Sequence, residues 1–228
     1  MKQQNKQLLI IGGIVVIALI AVGVLILATS SANTITIDYA SLPQSRTADG
    51  GFVIGNEDAP ITIVEFADWA CPHCQQYHPE VQRFIQDFVV TGLAKFEYRV
   101  FPTTGGQVTV FMGQVAECAE EQRPGAFWEV YDMLYVLVDQ GLLNGDAGRV
   151  VAERLGLSYS EILTCTADST RVAVDSQLGQ TNGVTGTPGV RMRNGNGPLQ
   201  TISTYSSGSV PYSVLASVVN QANNLPAN

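Results

Sequence analysis

Histidine is almost missing from this chain: His73 and His78 are the only two in 228 residues. Neither belongs to a second C-x-x-C or H-x-x-H pair. Cys71, Cys74 and His78 could offer three metal ligands, but a structural zinc site normally takes four. Basic side chains are scarce as well. Twelve Lys and Arg face twenty Asp and Glu, for a net charge of −8. No basic run could track a phosphate backbone, so nucleic acid is an unsuitable partner. Cysteine is limited to four residues, and no internal repeat is apparent.

What is present centres on residues 61–88, ITIVEFADWACPHCQQYHPEVQRFIQDF. An apolar run, 61–66, ends at Asp68-Trp69-Ala70, and Cys71-Pro72-His73-Cys74 follows. Apolar residues then recur at Cys74, Tyr77, Val81, Phe84, Ile85 and Phe88, the spacing of one helix face. The pattern predicts a strand, a short loop and a C-x-x-C on the first turn of a helix. That is the redox arrangement of two cysteines. The first helical turn offers unpaired N–H groups and the positive end of the macrodipole, so a thiolate at Cys71 is stabilised there. Pro72 suits the first helical position, where its missing N–H costs nothing. Cys74, three residues on, can close a small disulfide ring with Cys71. His73 adds a donor and, when protonated, positive charge. Each choice favours the thiolate form, so the disulfide should be a strong oxidant.

The chain opens with Lys2 and Lys6, and residues 8–28 then contain no charged residue. A run of that length can cross a bilayer as one helix. The positive flank predicts a cytoplasmic N-terminus with the remainder outside. A cleaved signal peptide is the rival reading, with Ala28-Thr29-Ser30 as its small-residue site. Signal h-regions are shorter, roughly 7–15 residues, which favours an uncleaved anchor. In either case disulfide chemistry is permitted on the far side. Setting Lys2 and Lys6 aside leaves ten basic against twenty acidic side chains.

Residues 1–29 are therefore the expected anchor, and the Ser/Thr/Ala/Asp-rich residues 30–50 a linker, with an extra edge strand as the alternative. Residues 52–54 and 61–66 are the first expected strands. The second is apolar except for Glu65, a carboxylate expensive to bury without a purpose or a partner. Pro79 interrupts the following helix, which should end near Thr91-Gly92. Residues 95–100 (KFEYRV) alternate charged and apolar and form the next expected strand. The period then turns helical, with candidates at 108–121, 126–140, 147–155 and 159–178. Ser158 followed by Glu161 is a capping-box pattern. Strands at 189–193 and 199–203 and a helix at 210–223 close the chain.

These motifs resemble the DsbA branch of the thioredoxin superfamily. The resemblance is carried by residues 61–80 with Cys71-Pro72-His73-Cys74, by the approach Phe52…Gly55…Ala59-Pro60, and by Gly183-Val184-Thr185-Gly186-Thr187-Pro188. It covers residues 51–223 and looks most like the membrane-anchored members. It implies an α/β thioredoxin fold, residues 51–106 and 180–228, with an all-helical insertion at 107–179. Cys71 would be the exposed nucleophile and Cys74 the buried resolving cysteine. Thr187-Pro188 would be the cis-proline pair that meets the substrate backbone, and Glu65 a buried carboxylate moving a proton at Cys74. Pro79 matches the superfamily's helix-kinking proline. Gly189-Val190-Arg191-Met192 departs from the bulkier, more apolar strand usual after the proline.

Cys118 and Cys165 both fall in the expected insertion. In an oxidising compartment an even count favours their pairing; two separate buried thiols are the alternative. The expected activity is donation of the Cys71–Cys74 disulfide to reduced exported proteins. By resemblance, reoxidation would come from a quinone-linked membrane partner of the DsbB or vitamin-K-epoxide-reductase type. No organic cofactor or metal is implied. A reductase or isomerase of the same fold and a non-catalytic binding or chaperone module are the alternatives.

Overall fold

The computed structural model describes residues 36–203 and 205–226. The expected anchor lies outside them. Among the described residues no helix is long and apolar enough to cross a membrane.

Five strands form one sheet: β1 (Gln44–Arg46), β2 (Phe52–Ile54), β3 (Ile61–Ala67), β4 (Lys95–Val100) and β5 (Gly189–Asn194), in the order β1-β2-β4-β3-β5. β3 runs parallel to β4 and antiparallel to β5, and β2 pairs antiparallel with β4 and with β1. Both β3 and β4 are interior, so both faces of each are covered. Every residue of β3 is buried. That is why its sequence is an apolar run rather than an alternation.

Among the described residues, seven α-helices follow in chain order: α1 (Pro72–Phe84), α2 (Gln107–Gln122), α3 (Ala126–Asp139), α4 (Ala147–Leu155), α5 (Tyr159–Thr166), α6 (Arg171–Thr181) and α7 (Tyr212–Ala222). α1 passes into a π-helical stretch, Ile85–Val89, and the chain turns at Gly92, whose φ of 77° suits glycine. The main core lies on the sheet face of Ile63, Ala67, Phe96 and Tyr98. There Tyr77, Val81 and Phe84 of α1 and Leu215 and Val219 of α7 meet Phe127, Trp128 and Tyr131 of α3. A smaller cluster of Val64, Phe66, Phe101 and Val184 occupies the opposite face.

Three expectations are corrected. Residues 30–50 do not end as a free linker but in the alternative edge strand: Tyr39 and Leu42 are buried, and β1 completes the sheet edge. Tyr39 stacks on Trp128 with ring centroids 6.0 Å apart, an apolar anchor sufficient to pull the segment in. The expected helix over 159–178 is two helices, broken at Ala167-Asp168-Ser169-Thr170. Asp, Ser and Thr are poor helix formers and favour breaks; here Ser169 Oγ donates to the Glu117 carboxylate of α2 at 2.5 Å. Residues 199–203 pair only at single bridges, Met192 with Gln200 and Ile202 with Tyr205. Pro198, with no N–H to give, stands where a longer ladder would begin.

The capping pattern is present: Ser158 is the N-cap of α5, and its side chain accepts from the Glu161 N–H at 3.4 Å. Cys118 of α2 is bonded to Cys165 of α5, closing a sequence separation of 47.

Candidate active site

β3 carries the chain to a loop whose end places Cys71 as the N-cap of α1, with Pro72 at its first turn. Cys71 N–H donates to Asp68 C=O at 2.9 Å, fixing the loop before the helix begins. Cys74 is fully buried, as a resolving cysteine should be, whereas Pro72 and His73 are exposed. Cys71 itself is only 4% exposed, which corrects the expectation of an open nucleophile. The cause is the loop before β5: the Thr187 carbonyl accepts from Cys71 Sγ at 3.3 Å. The Thr187–Pro188 peptide bond is cis, and Pro188 is buried beside the dithiol. Cys71 and Cys74 are both free thiols here.

The two thiols have opposite electrostatics. Burial pushes Cys71 up, but the Thr187 side chain, the Cys74 and His73 N–H groups and the Cys74 thiol outweigh it, and its pKa lies below that of an ordinary thiol. Burial pushes Cys74 far up, and the charge of Glu65 adds to this. Glu65 is 1% exposed, and neither carboxyl oxygen has a hydrogen-bond partner. With nothing to repay the lost hydration, its pKa is raised to about 8. It faces the core beneath Cys74, across the β3–β4 ladder from Tyr98.

His78 does not join the two cysteines. It is stacked on Tyr135 at 3.8 Å, with Nδ1 3.2 Å from the Tyr131 hydroxyl. Among the described residues no group of three or more His, Cys, Asp or Glu could hold a metal ion. Trp69 is buried packing, its Nε1 donating to the Tyr131 carbonyl at 3.2 Å. Arg191, the residue that departs from the usual apolar strand, points to the opposite sheet face. There it donates to the Asn182 carbonyl at the C-terminal end of α6.

Sequence reasoning missed two residues that build this site. Asp68 is fully buried and accepts from the N–H groups of Ala70, Thr103 and Gly105 and the hydroxyls of Thr103 and Thr109. Thr103 in turn meets Thr187, with their Oγ1 atoms 2.7 Å apart. Gly105 has to be glycine for this approach, since a Cβ there would lie 2.1 Å from Thr109 Oγ1 and 3.0 Å from Asp68 Oδ1. The only signals in the sequence were an acid at a strand end and a Thr-Thr-Gly-Gly loop.

A sheet that delivers an N-capping cysteine, its buried partner and a cis-proline to one point is an arrangement suited to thiol–disulfide exchange. The comparisons agree with it. The thioredoxin family model matches residues 47–202. Disulfide bond formation protein D of Bacillus subtilis is 29% identical over 145 residues, covering 60% of this chain and 64% of that protein. The Na(+)/H(+) antiporter NhaA 3 of Salinispora tropica is 35% identical over 144 residues, covering 61% of this chain but only 21% of that protein. Among solved structures, BdbD from Bacillus subtilis aligns with a TM-score of 0.62 at 20% identity, covering 75% of this chain and 92% of that one. DsbA2 of Pseudomonas aeruginosa aligns at 0.60 and 21%, covering 74% and 92%. The chain belongs to the thioredoxin family, and solved DsbA-like structures share its fold. Its fold is the thioredoxin α/β fold with a helical insertion.

Proposed function

We propose that this chain is a protein disulfide oxidase that donates the Cys71–Cys74 disulfide to reduced exported proteins. The observation that carries the reading is the asymmetry of the pair. Cys71 caps a helix and ionises early, while Cys74 is sealed in the core and ionises late. Both features stabilise the dithiol with Cys71 as its thiolate, so the disulfide is a ready electron acceptor.

A substrate thiolate attacks Cys71 Sγ and the Cys71–Cys74 bond breaks, its electron pair going to Cys74. Cys74 cannot stay ionised in the core. Glu65, still protonated at neutral pH, gives it a proton. A second substrate thiolate then attacks the substrate sulfur of the mixed disulfide and expels Cys71, a good leaving group because its thiolate is stabilised. The substrate departs with a new disulfide, and the enzyme is left with Cys71 as its thiolate, Cys74 as a thiol and Glu65 ionised. The groove beside Thr187-Pro188 holds the substrate backbone during both steps. Reoxidation by a quinone-linked membrane protein of the DsbB or vitamin-K-epoxide-reductase type completes the cycle.

The same reading places the domain outside the cytoplasmic membrane, held by residues 8–28. Its support is the charge-free run behind Lys2 and Lys6 and the Cys118–Cys165 bond, which belongs in an oxidising compartment.

The deciding measurement is the reduction potential of Cys71–Cys74 against glutathione. A value near −120 mV, that of a DsbA oxidant, is expected; one near −270 mV, that of thioredoxin, would establish a reductase instead. Replacing Cys74 by Ser should stop turnover and trap mixed disulfides on Cys71, whereas a binding module would work unchanged.

A further inference from the structure

The chain of hydrogen bonds from Asp68 to Thr187 has a direction. Asp68 Oδ2 takes the Thr103 N–H at 2.7 Å and the Thr103 hydroxyl at 3.0 Å. A carboxylate accepting from five donors is an acceptor only, and a threonine hydroxyl has one hydrogen. That hydrogen is committed to Asp68. The short 2.7 Å contact between Thr103 Oγ1 and Thr187 Oγ1 is therefore made by the Thr187 hydrogen. Thr187 in turn is the residue that covers Cys71. When Cys71 ionises, its sulfur can no longer donate to the Thr187 carbonyl and needs donors of its own. The Thr187 hydroxyl is one of them, but turning it to the sulfur means giving up the bond to Thr103 that it makes beside the neutral thiol.

We propose that Asp68, through Thr103, competes with the Cys71 sulfur for the Thr187 hydroxyl hydrogen and thereby restrains the stability of the thiolate. Asp68 and Thr103 are positioning residues; neither touches the reacting sulfur. The buried carboxylate anchors the device, and the exposed threonine transmits it. The other titratable groups around Cys71 are His73 and Cys74 on its own helix, Asp68 on the preceding loop, and Glu65 beneath Cys74. The inference rests on Cys71 being the reacting thiol.

The test is the Cys71 pKa in the reduced full chain, read from thiolate absorbance and from the pH dependence of alkylation. Thr103→Val keeps the side-chain shape at an exposed position and removes the hydroxyl. It should lower the Cys71 pKa by about one unit, the worth of one hydrogen bond to a charged group. Thr187→Val, which removes the contested donor, should raise it by about as much. The double variant should match Thr187→Val alone, and Thr103→Ser should match the wild type. A merely structural role for Thr103 would not produce that non-additivity. If Thr103→Val does not fold, Thr103→Ala carries the same expectation, because its N–H still reaches Asp68. An unchanged or raised pKa in Thr103→Val overturns the proposal, as does a lowering that persists in the Thr187→Val background. If wild-type Cys71 ionises no earlier than an ordinary thiol, it is the oxidase reading that fails instead.

Discussion

At the scale of single residues, Glu65 is the most consequential placement outside the dithiol. Burial alone raises its pKa from 4.5 to about 8. A raised carboxyl pKa means that the folded chain holds a proton the unfolded chain has released between those values. Folding is therefore favoured at low pH and loses stability as the pH climbs from 4.5 towards 8. At 1.36 kcal/mol per unit, the loss is about 5 kcal/mol. Glu65→Gln should abolish it. Urea denaturation of the oxidised forms, in which the Cys71 and Cys74 titrations drop out, should show the wild type losing several kcal/mol relative to Glu65→Gln between pH 5 and pH 8. Parallel curves would mean that the carboxylate reaches water. Glu65 was legible in the sequence because a carboxylate in an apolar run is anomalous. Asp68 and Thr103 were not, because an acid and a threonine in loops are ordinary. Their importance comes from residues 68, 103 and 187 converging from three different loops.

At the scale of elements, periodicity was legible wherever one helix face met the core. α4 matches its expected span, and α2 and α3 differ only at their ends. It failed where a helix is held by something other than an apolar stripe. α5 has a single buried residue, Ile162, and its bonded Cys165 is only partly buried. α6 buries Arg171, Val172, Asp175 and Gly179, a mostly polar set that gives no hydrophobic signal. With so little apolar burial, α5 depends on its disulfide to α2. Closing a separation of 47 residues is worth about 4 kcal/mol in the chain-entropy account. Replacing Cys118 and Cys165 together by Ala should lower the unfolding free energy by a similar amount. Hydrogen exchange should quicken first over residues 159–166, while the Cys71–Cys74 potential stays where it was. A loss below 1 kcal/mol would show that α5 is held by packing alone.

At the scale of the whole molecule, the least legible feature is the one that joins the most distant parts. The alternation in residues 95–100 reads as a strand with one wet face, yet Glu97 and Arg99 are 1% and 0% exposed. Their face of the sheet is closed by α6 and by the turn after β1. Arg99 sits at the centre, bonded to Glu97 at 2.6 Å, Asp49 at 2.8 Å and Asp175 at 2.9 Å. Arg193 of β5 shares Glu97 at 2.8 Å, and Arg171 of α6 shares Asp175 at 3.0 Å. Three acids and three arginines, from segments far apart in sequence, thus tie the turn after β1, the interior strand β4, the edge strand β5 and α6 together. Burying such a cluster offers little net stability over an apolar equivalent, but removing one partner leaves charge stranded, at about 3–5 kcal/mol. Arg99→Met should cost that much in chemical denaturation, because Glu97 and Asp175 stay buried with one partner fewer each. The damage should also be directional. Asp49 and the Thr47 hydroxyl lose their grip on Arg99, so residues 44–51 should exchange amide hydrogens far faster while α7, on the other sheet face, does not change. Uniform acceleration across both would mean that the cluster supports the fold at large rather than holding its N-terminal edge in place.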